Sequence, residues 1–326
     1  MHYLITGGAG FIGSNIAETL VRQGGKVRVL DNFSTGKREN LAVLRSLSKT
    51  KTGDPVEIIE GDVRDPDACK RAVQGVDYVL HHAAMVSVSQ SVSEPLLCNA
   101  VNVTGTLNML IAARDSGVRR FVLASSSAVY GDGEREAVPE LHEIPKARRE
   151  DMPVDPMTPY AVSKLIGESY CRIFCRLYGL ETVCLRYFNV FGPRQDHRSE
   201  YAAVIPKFID ALRHGRRPVI YGDGLQSRDF VFVGDVVLAN LRACVAPGAA
   251  VGRVFNVASH RAVTLLELLD ALKTILDSDL APIFSEARQG DIRHSWAENA
   301  LAREFLEFSP AVSLQEGLER LIRSEG

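Results

Sequence analysis

The heptapeptide TPYAVSK, residues 158–164, sets a tyrosine four residues before a lysine, directly after a proline. In a helix, positions i and i+4 share a face, and Pro159 suits a first turn. Tyr160 and Lys164 therefore project together, a phenol beside an ammonium. A free tyrosine, with a pKa of about 10, is a poor base at neutral pH. A nearby positive charge favours its phenolate. Such a group can take a proton from a hydroxyl while hydride leaves the same carbon. Upstream, the run SSSAVYG contributes Ser126, a hydroxyl that could relay that proton or hold the oxygen. The catalytic candidates are Ser126, Tyr160 and Lys164.

These residues need elements that bring them together. Apolar runs at 3–6, 26–32, 56–62, 76–84, 119–131 and 181–193 read as six strands. Helical spacing over 10–22 and 65–73 falls between them. Strands alternating with helices imply right-handed crossovers and a parallel sheet. Beyond Pro193 the alternation loosens. Residues 202–214 and 265–276 read as helices, and 228–244 as a strand followed by a helix. The expected class is α/β, a doubly wound parallel sheet with a smaller C-terminal α/β lobe over its carboxyl edge, where ligands of such sheets bind. The expected boundaries are 1–190 for the first domain, with 228–258 returning to it. Residues 191–227 and 259–326 then form the lobe. The charged, proline-containing stretch 132–155 reads as a long loop, a lid or a disordered segment.

The turn after the first strand is TGGAGFIG, with Gly7, Gly10 and Gly13 in a G-x-x-G-x-x-G pattern. Glycines permit a tight turn and let backbone approach a pyrophosphate at a helix N-terminus. Asp31 ends the second strand, 18 residues after Gly13. A carboxylate there accepts from both ribose hydroxyls and repels a 2′-phosphate, which favours NAD over NADP. Lys37 and Arg38 read as solvated charges, although basic residues there can also bind that phosphate. Asp62 is placed to meet an adenine ring or to cap the helix starting near Asp65.

The chain has 326 residues and a formal net charge of −2. Its near-zero mean hydropathy and charge balance give no sign of a nucleic-acid groove or a membrane surface. No apolar run reads as long enough to span a bilayer, and the N-terminus lacks signal-peptide features. Six scattered cysteines lack C-x-x-C spacing, and Cys171 with Cys175 reads as two small apolar residues rather than metal ligands. No metal is expected. A reduced, cytoplasmic, soluble protein is.

With TGGAGFIG, DNFSTGKRENL, GDVRD, HHAA, VNVTGT, SSSAVYGD, YAVSK, LRYFNVFGPRQ, AAVIPKF, GDGLQSRDFVFVGDVV and RQGDIRHS in this order, nearly the whole chain resembles the extended short-chain dehydrogenase/reductase family. Within it, the chain resembles the NAD-dependent nucleotide-sugar 4-epimerases acting on UDP-glucose and UDP-N-acetylglucosamine. The resemblance implies a Rossmann-type sheet with tightly bound NAD. Gly7, Gly10, Phe11, Ile12, Gly13, Asp31, Asn32, Asp62, Val63, Ala83, Ala84, Asn102, Tyr160, Lys164 and Tyr187 would hold the cofactor. Ser127, Asn189, Val204, Tyr221, Arg228, Arg288, Asp291 and Ser295 would hold the UDP-sugar. Among them Arg228 and Arg288 would clamp phosphates and Asp291 the uridine ribose. Arg228 beside Asp229 also reads as a surface ion pair, and Tyr221 as a core residue. The implied reaction moves hydride from sugar C4 to NAD⁺, turns the 4-keto intermediate over, and returns the hydride to the other face.

Related dehydratases and decarboxylases usually carry an acid just before VYG, where this chain has Ser127 and Ala128. That counts heavily against a dehydratase and less against a decarboxylase; a UDP-glucuronate 4-epimerase or decarboxylase and a 4-ketosugar reductase remain as alternatives. A nucleotide-sensing protein without turnover is disfavoured by the intact Tyr160 and Lys164. In the family, a bulky residue at the position of Ser295 is associated with exclusion of N-acetylated sugars. Ser295 therefore implies room for them. Helices near 96–113 and 160–178 carry apolar residues on more than one face, including Ile173, Phe174 and Leu177. Family members often pair through them, so a homodimer is expected.

Overall fold

The structure is a computed structural model that describes residues 1–47, 56–132, 147–196, 204–287 and 292–325. Strands β1 (His2–Thr6), β2 (Lys26–Asp31), β3 (Val56–Glu60), β4 (Tyr78–His81), β5 (Arg120–Ser126) and β6 (Glu181–Tyr187) form one sheet. A further strand, Arg253–Val257, adds a seventh to the six read from sequence. The order runs from that strand through β6, β5, β4, β1 and β2 to β3. All neighbours are parallel. The chain leaves β1 toward β2 on one side and returns to β4 on the other. The crevice between the β1 and β4 ends is thus a topological switch point.

One apolar core lies on each face of the sheet. Ile16, Ala17 and Leu20 of α1 (Phe11–Arg22) join Val29, Leu80, Val122 and Leu185 in the first. Leu4, Val79, Phe121 and Cys184 meet Met109, Leu110, Cys171 and Phe174 in the second. Near-continuous apolar strands buried on both faces are what a parallel sheet requires. A third core, with Ile205, Phe208, Phe230, Leu268 and Leu318, belongs to the C-terminal part.

Two of the expected strands stop early. The run 119–131 ends as a strand at Ser126, whose hydroxyl accepts the Ala128 N–H at 3.2 Å and turns the chain into a short 3₁₀ segment, Ser127–Tyr130. The run 181–193 breaks at Phe188. Beyond it, Asn189–Phe191 pairs with Phe230–Phe232 in a small sheet of its own, and the Asn189 N–H donates to the Asp229 carbonyl.

The expectation about membrane spans also needs correction. Helical turns run without interruption over Pro95–Asp115, 21 residues long and apolar enough, by length and composition, to cross a membrane. Part of that apolar length is core of the protein. Cys98, Asn102, Met109 and Leu110 are buried, and the segment packs on the helices Pro66–Ala72 and Pro159–Tyr178.

Candidate active site

The glycine turn is built by contact as much as by conformation. Gly7 has φ +68°, and a Cβ there would lie 2.8 Å from the Ala83 nitrogen, in the loop after β4. A Cβ on Gly13 would lie 2.3 Å from the Gly7 carbonyl oxygen. Turn, helix and loop therefore close on one another at distances only glycine allows. Thr6 seals the same corner, its hydroxyl accepting the N–H groups of His82 and Ala83 at 3.2 and 3.1 Å.

Helix α1 starts with Gly10 as its N-cap, no side-chain cap and no acid in its first turn. The helices beginning at Pro66, Val88, Pro159, Leu265 and Leu314 are capped by Asp65, Ser87, Thr158, Thr264 and Ser313. An uncapped N-terminus beside a glycine cradle has free N–H groups and a positive dipole end for an anion. Phe11 and Ile12, in its first turn, pack partly against the third core.

Asp31 is 7% exposed. One carboxylate oxygen accepts from the Ala9 N–H and the other from the Phe33 N–H, each at 2.8 Å. Burial raises its pKa, and these two bonds oppose the rise. Asn32 donates to Asp62 at 2.7 Å, and Arg64 forks onto the same carboxylate at 2.9 and 2.7 Å. That fork holds the Asp62 pKa far below the usual range. Asp65, not Asp62, caps the following helix. Both basic residues near the ribose position are engaged, Lys37 with Asp196 at 3.0 Å and Arg38 with Glu60 at 2.6 Å. The residues present thus fit a dinucleotide without a 2′-phosphate.

Thr158 caps the helix Pro159–Tyr178, and Pro159 opens it. This places Tyr160 against the end of β5, with the Ser126 hydroxyl near enough to its phenol to pull its pKa down. The Lys164 ammonium lies 5.7 Å from the centre of the Tyr160 ring and donates to the Ala124 carbonyl at 2.8 Å. The three catalytic candidates therefore converge. The electrostatics differ from the sequence expectation. Burial raises the Tyr160 pKa, with the Ser126 bond pulling the other way, so the protein's own groups keep the phenol protonated. Burial pulls Lys164 down to about 8.

Other named residues take different places. Asn102 is buried in a π-helical turn, Ala100–Thr104. Its amide accepts the Met85 N–H at 2.8 Å and donates to the Met85 carbonyl and to Ser163. It stands behind the site and ties the loop after β4 to the Tyr160 helix. Tyr187 is also buried, its hydroxyl bonded to Asn240 and to His82 Nε2, each at 3.0 Å. Val63 is buried against Gly105. Ala83 and Ala84 are half-buried in the loop after β4, and Ser127 opens the 3₁₀ turn.

In the C-terminal part, Ser227–Arg228 pairs with both Val263–Thr264 and His294–Ser295. Arg228 and Ser295 are register partners. The Arg228 guanidinium donates to the Ser227 and Arg293 carbonyls. Asp229 is fully buried and accepts from Ser259, Arg261 and Ala297; it is a structural knot, not a surface charge. Tyr221 is exposed on the strand Val219–Tyr221 rather than in the core. Asn189 is half-buried just past β6, and Val204 opens the helix Val204–Arg213. Arg288, Asp291 and residues 133–146 of the long loop lie outside the described residues.

Sequence reading gives no role to a pair of histidines under the cradle, His81 buried and His82 half-buried. His81 Nδ1 contacts Thr6 Oγ1 at 2.7 Å, and its Nε2 contacts Thr106 at 3.0 Å. Burial lowers His81 to about 3 and His82 to about 4. The dipeptide HH at a strand end was the available signal.

Comparison with known proteins agrees with this geometry. The family model described as the NAD dependent epimerase/dehydratase family matches residues 3–258. The UDP-glucose 4-epimerase of Mycolicibacterium smegmatis is 38% identical over 324 residues, 99% of this chain and 97% of that protein. A solved UDP-N-acetylglucosamine 4-epimerase from Methanobrevibacter ruminantium, in complex with UDP-N-acetylmuramic acid, is 38% identical with a TM-score of 0.88, covering 99% of this chain and 97% of the other. The Thermus thermophilus UDP-glucose 4-epimerase, in complex with NAD, is 34% identical with a TM-score of 0.85, covering 99% and 98%. A chain matched over residues 3–258 by that family model and at 38% identity over nearly its whole length, with its glycine cradle, Asp31 and the Ser126–Tyr160–Lys164 group in place, belongs to the NAD-dependent epimerase/dehydratase family.

Proposed function

We propose that the protein interconverts the C4 epimers of UDP-hexoses, UDP-glucose with UDP-galactose and UDP-N-acetylglucosamine with UDP-N-acetylgalactosamine. The observation that carries this is the convergence of Ser126, Tyr160 and Lys164 at the carboxyl edge beside the cradle. Full-length similarity to 4-epimerases of both substrate types supports it.

When bound, NAD⁺ supplies a hydride acceptor and a positive ring, the charge that the protein's own groups leave lacking at Tyr160. Gly7, Gly10, Gly13 and the first turn of α1 would hold its pyrophosphate, and Asp31 its adenosine ribose. Tyr160 takes the C4 hydroxyl proton and later gives it back. Ser126 holds that oxygen. Only together with the bound ring's charge would the Lys164 ammonium favour the phenolate. Arg228 and Asn189 contact the diphosphate, and Tyr221 lies near uracil. Holding the nucleotide firmly leaves the sugar free to present either face, so remote binding energy serves the reacting carbon.

Ser295 beside Arg228 leaves room for an N-acetyl group. Two copies pair through the helices spanning 96–113 and 160–178, where Leu96 is 86% and Leu177 71% exposed. Six unpaired cysteines support a reducing, cytoplasmic setting.

The test is UDP-glucose carrying deuterium at C4. Epimerisation by hydride removal and return keeps the label on C4 of the product. Wash-out of the label into water would contradict the mechanism.

A further inference from the structure

The helix Pro159–Tyr178 carries a third group on the face of Tyr160 and Lys164. Glu168 follows Lys164 by four residues and Tyr160 by eight, so all three share one face. Each grips the end of β5. Tyr160 faces Ser126, Lys164 donates to the Ala124 carbonyl at 2.8 Å, and Glu168 accepts the Ser125 hydroxyl at 2.5 Å. Three consecutive residues of one strand are thus held by three turns of one helix.

Glu168 is fixed from its other side by β6. Arg186 forks onto both carboxylate oxygens at 2.9 and 2.8 Å, and each side chain of the pair is 5% exposed. The guanidinium also lies 4.6 Å from the centre of the Tyr130 ring, just past the Ser126 turn. A buried ion pair of this kind costs desolvation and is weak evidence for stability alone. Its placement points to geometry and charge at the site.

We propose that Glu168, held by Arg186, is a positioning residue that keeps Ser126 in register with Tyr160 and keeps Lys164 charged. The groups facing Lys164 are Tyr160 and Glu168 on its own helix, Cys98 on the neighbouring one, and His81 and His82 at the end of β4. Burial opposes the Lys164 charge, while Cys98 and Glu168 oppose that loss. The Cys98 thiol is itself pushed up by burial, and burial keeps both imidazoles neutral. Glu168 is therefore the one member of that set clasped by a guanidinium, through both of its carboxylate oxygens.

This inference rests on the epimerase reading, so the experiment has one arm without turnover. Wild type and Glu168→Gln, each with its bound cofactor, are labelled with ¹³C at the lysine ε carbon, and the Lys164 resonance is followed with pH. UDP-glucose turnover is measured in parallel. Glu168→Gln should move the Lys164 midpoint down by about half a unit or more and lower kcat about tenfold, with KM changed less than threefold. Its alkaline limb should shift with the NMR midpoint. An unchanged midpoint and unchanged kcat would overturn the proposal. Ser125→Ala leaves the ion pair in place and guards against a misfolded first variant. It should lower kcat severalfold with the Lys164 midpoint unmoved, and wild-type kcat there would overturn the positioning role. If wild type itself does not turn over UDP-glucose, the epimerase reading fails, while the NMR arm still decides whether Glu168 holds the Lys164 charge.

Discussion

The glycine cradle and the C-terminal lobe are built on different terms. In the cradle, backbone sets the shape. Gly7, Gly13 and the first turn of α1 approach one another too closely for side chains, and Thr6 and Asp31 use their side chains to satisfy local N–H groups. In the lobe, short strands of two or three residues display side chains such as Tyr221, Arg228 and Ser295 from small sheets. On the proposed function, a cradle for an unchanging pyrophosphate would tolerate almost no change, and a lobe for the sugar could change its selectivity one side chain at a time. The catalytic helix stands between them and must satisfy both.

The largest effect should come from the cradle. Gly13→Ala places a methyl carbon 2.3 Å from the Gly7 carbonyl, with backbone on both sides and nothing flexible to move. The purified variant should carry no NAD, measured by absorbance after denaturation, and should be inactive on every sugar. A fully loaded variant would break the claim that contact distance defines the cradle.

Tyr160→Phe comes next. It removes the proton carrier and leaves cradle and lobe intact, so kcat should fall about 10³-fold, within the usual span for a general base. Bound NAD and UDP affinity, read by calorimetry, should stay near wild type.

Ser295→Tyr should act on the lobe alone. We expect UDP-N-acetylglucosamine turnover to drop more than about tenfold and UDP-glucose turnover to change less than about threefold, the range a single pocket contact spans. Equal losses on both sugars would blur the division of labour between the two regions.

The smallest effect is a pH dependence rooted beneath the cradle. His81 and His82 are held neutral, with folded pKa values of about 3 and about 4. The unfolded chain takes up protons near a pH of about 6.5, while the folded chain does not. Stability is therefore full above about 6.5 and declines as pH falls toward about 4. Melting temperature should track that window. His82→Asn should flatten part of the slope, with catalysis at mildly alkaline pH little changed.

What could be read in advance follows the same division. The glycine spacing, Asp31 at a strand end and the Tyr160–Lys164 pair are legible because local geometry demands those residue types at those spacings. Ser126 is legible because a hydroxyl must end the strand facing that pair. The roles of Asn102 and Asp229 are not. Asn102 reads as a cofactor residue and Asp229 as half of a surface ion pair, and only tertiary packing shows the first bonded to Met85 and Ser163 and the second buried under three loop residues. The break at Phe188 is hidden for a similar reason. The strand-like pattern continues through Phe188 with no glycine or proline before Gly192, so it carries no mark of which sheet each half joins. Glu168 is the sharpest case, because a glutamate on a helix reads as solvated until Arg186 and Ser125 are seen to enclose it.

The central claim is that one site, with its own NAD, inverts C4 of both plain and N-acetylated UDP-hexoses. It is tested most directly by incubating the purified protein, without added cofactor, with UDP-glucose and separately with UDP-N-acetylglucosamine, and resolving the C4 epimers by NMR. The account predicts conversion of both, each to an equilibrium mixture. Conversion of neither, before and after NAD is added, would contradict it.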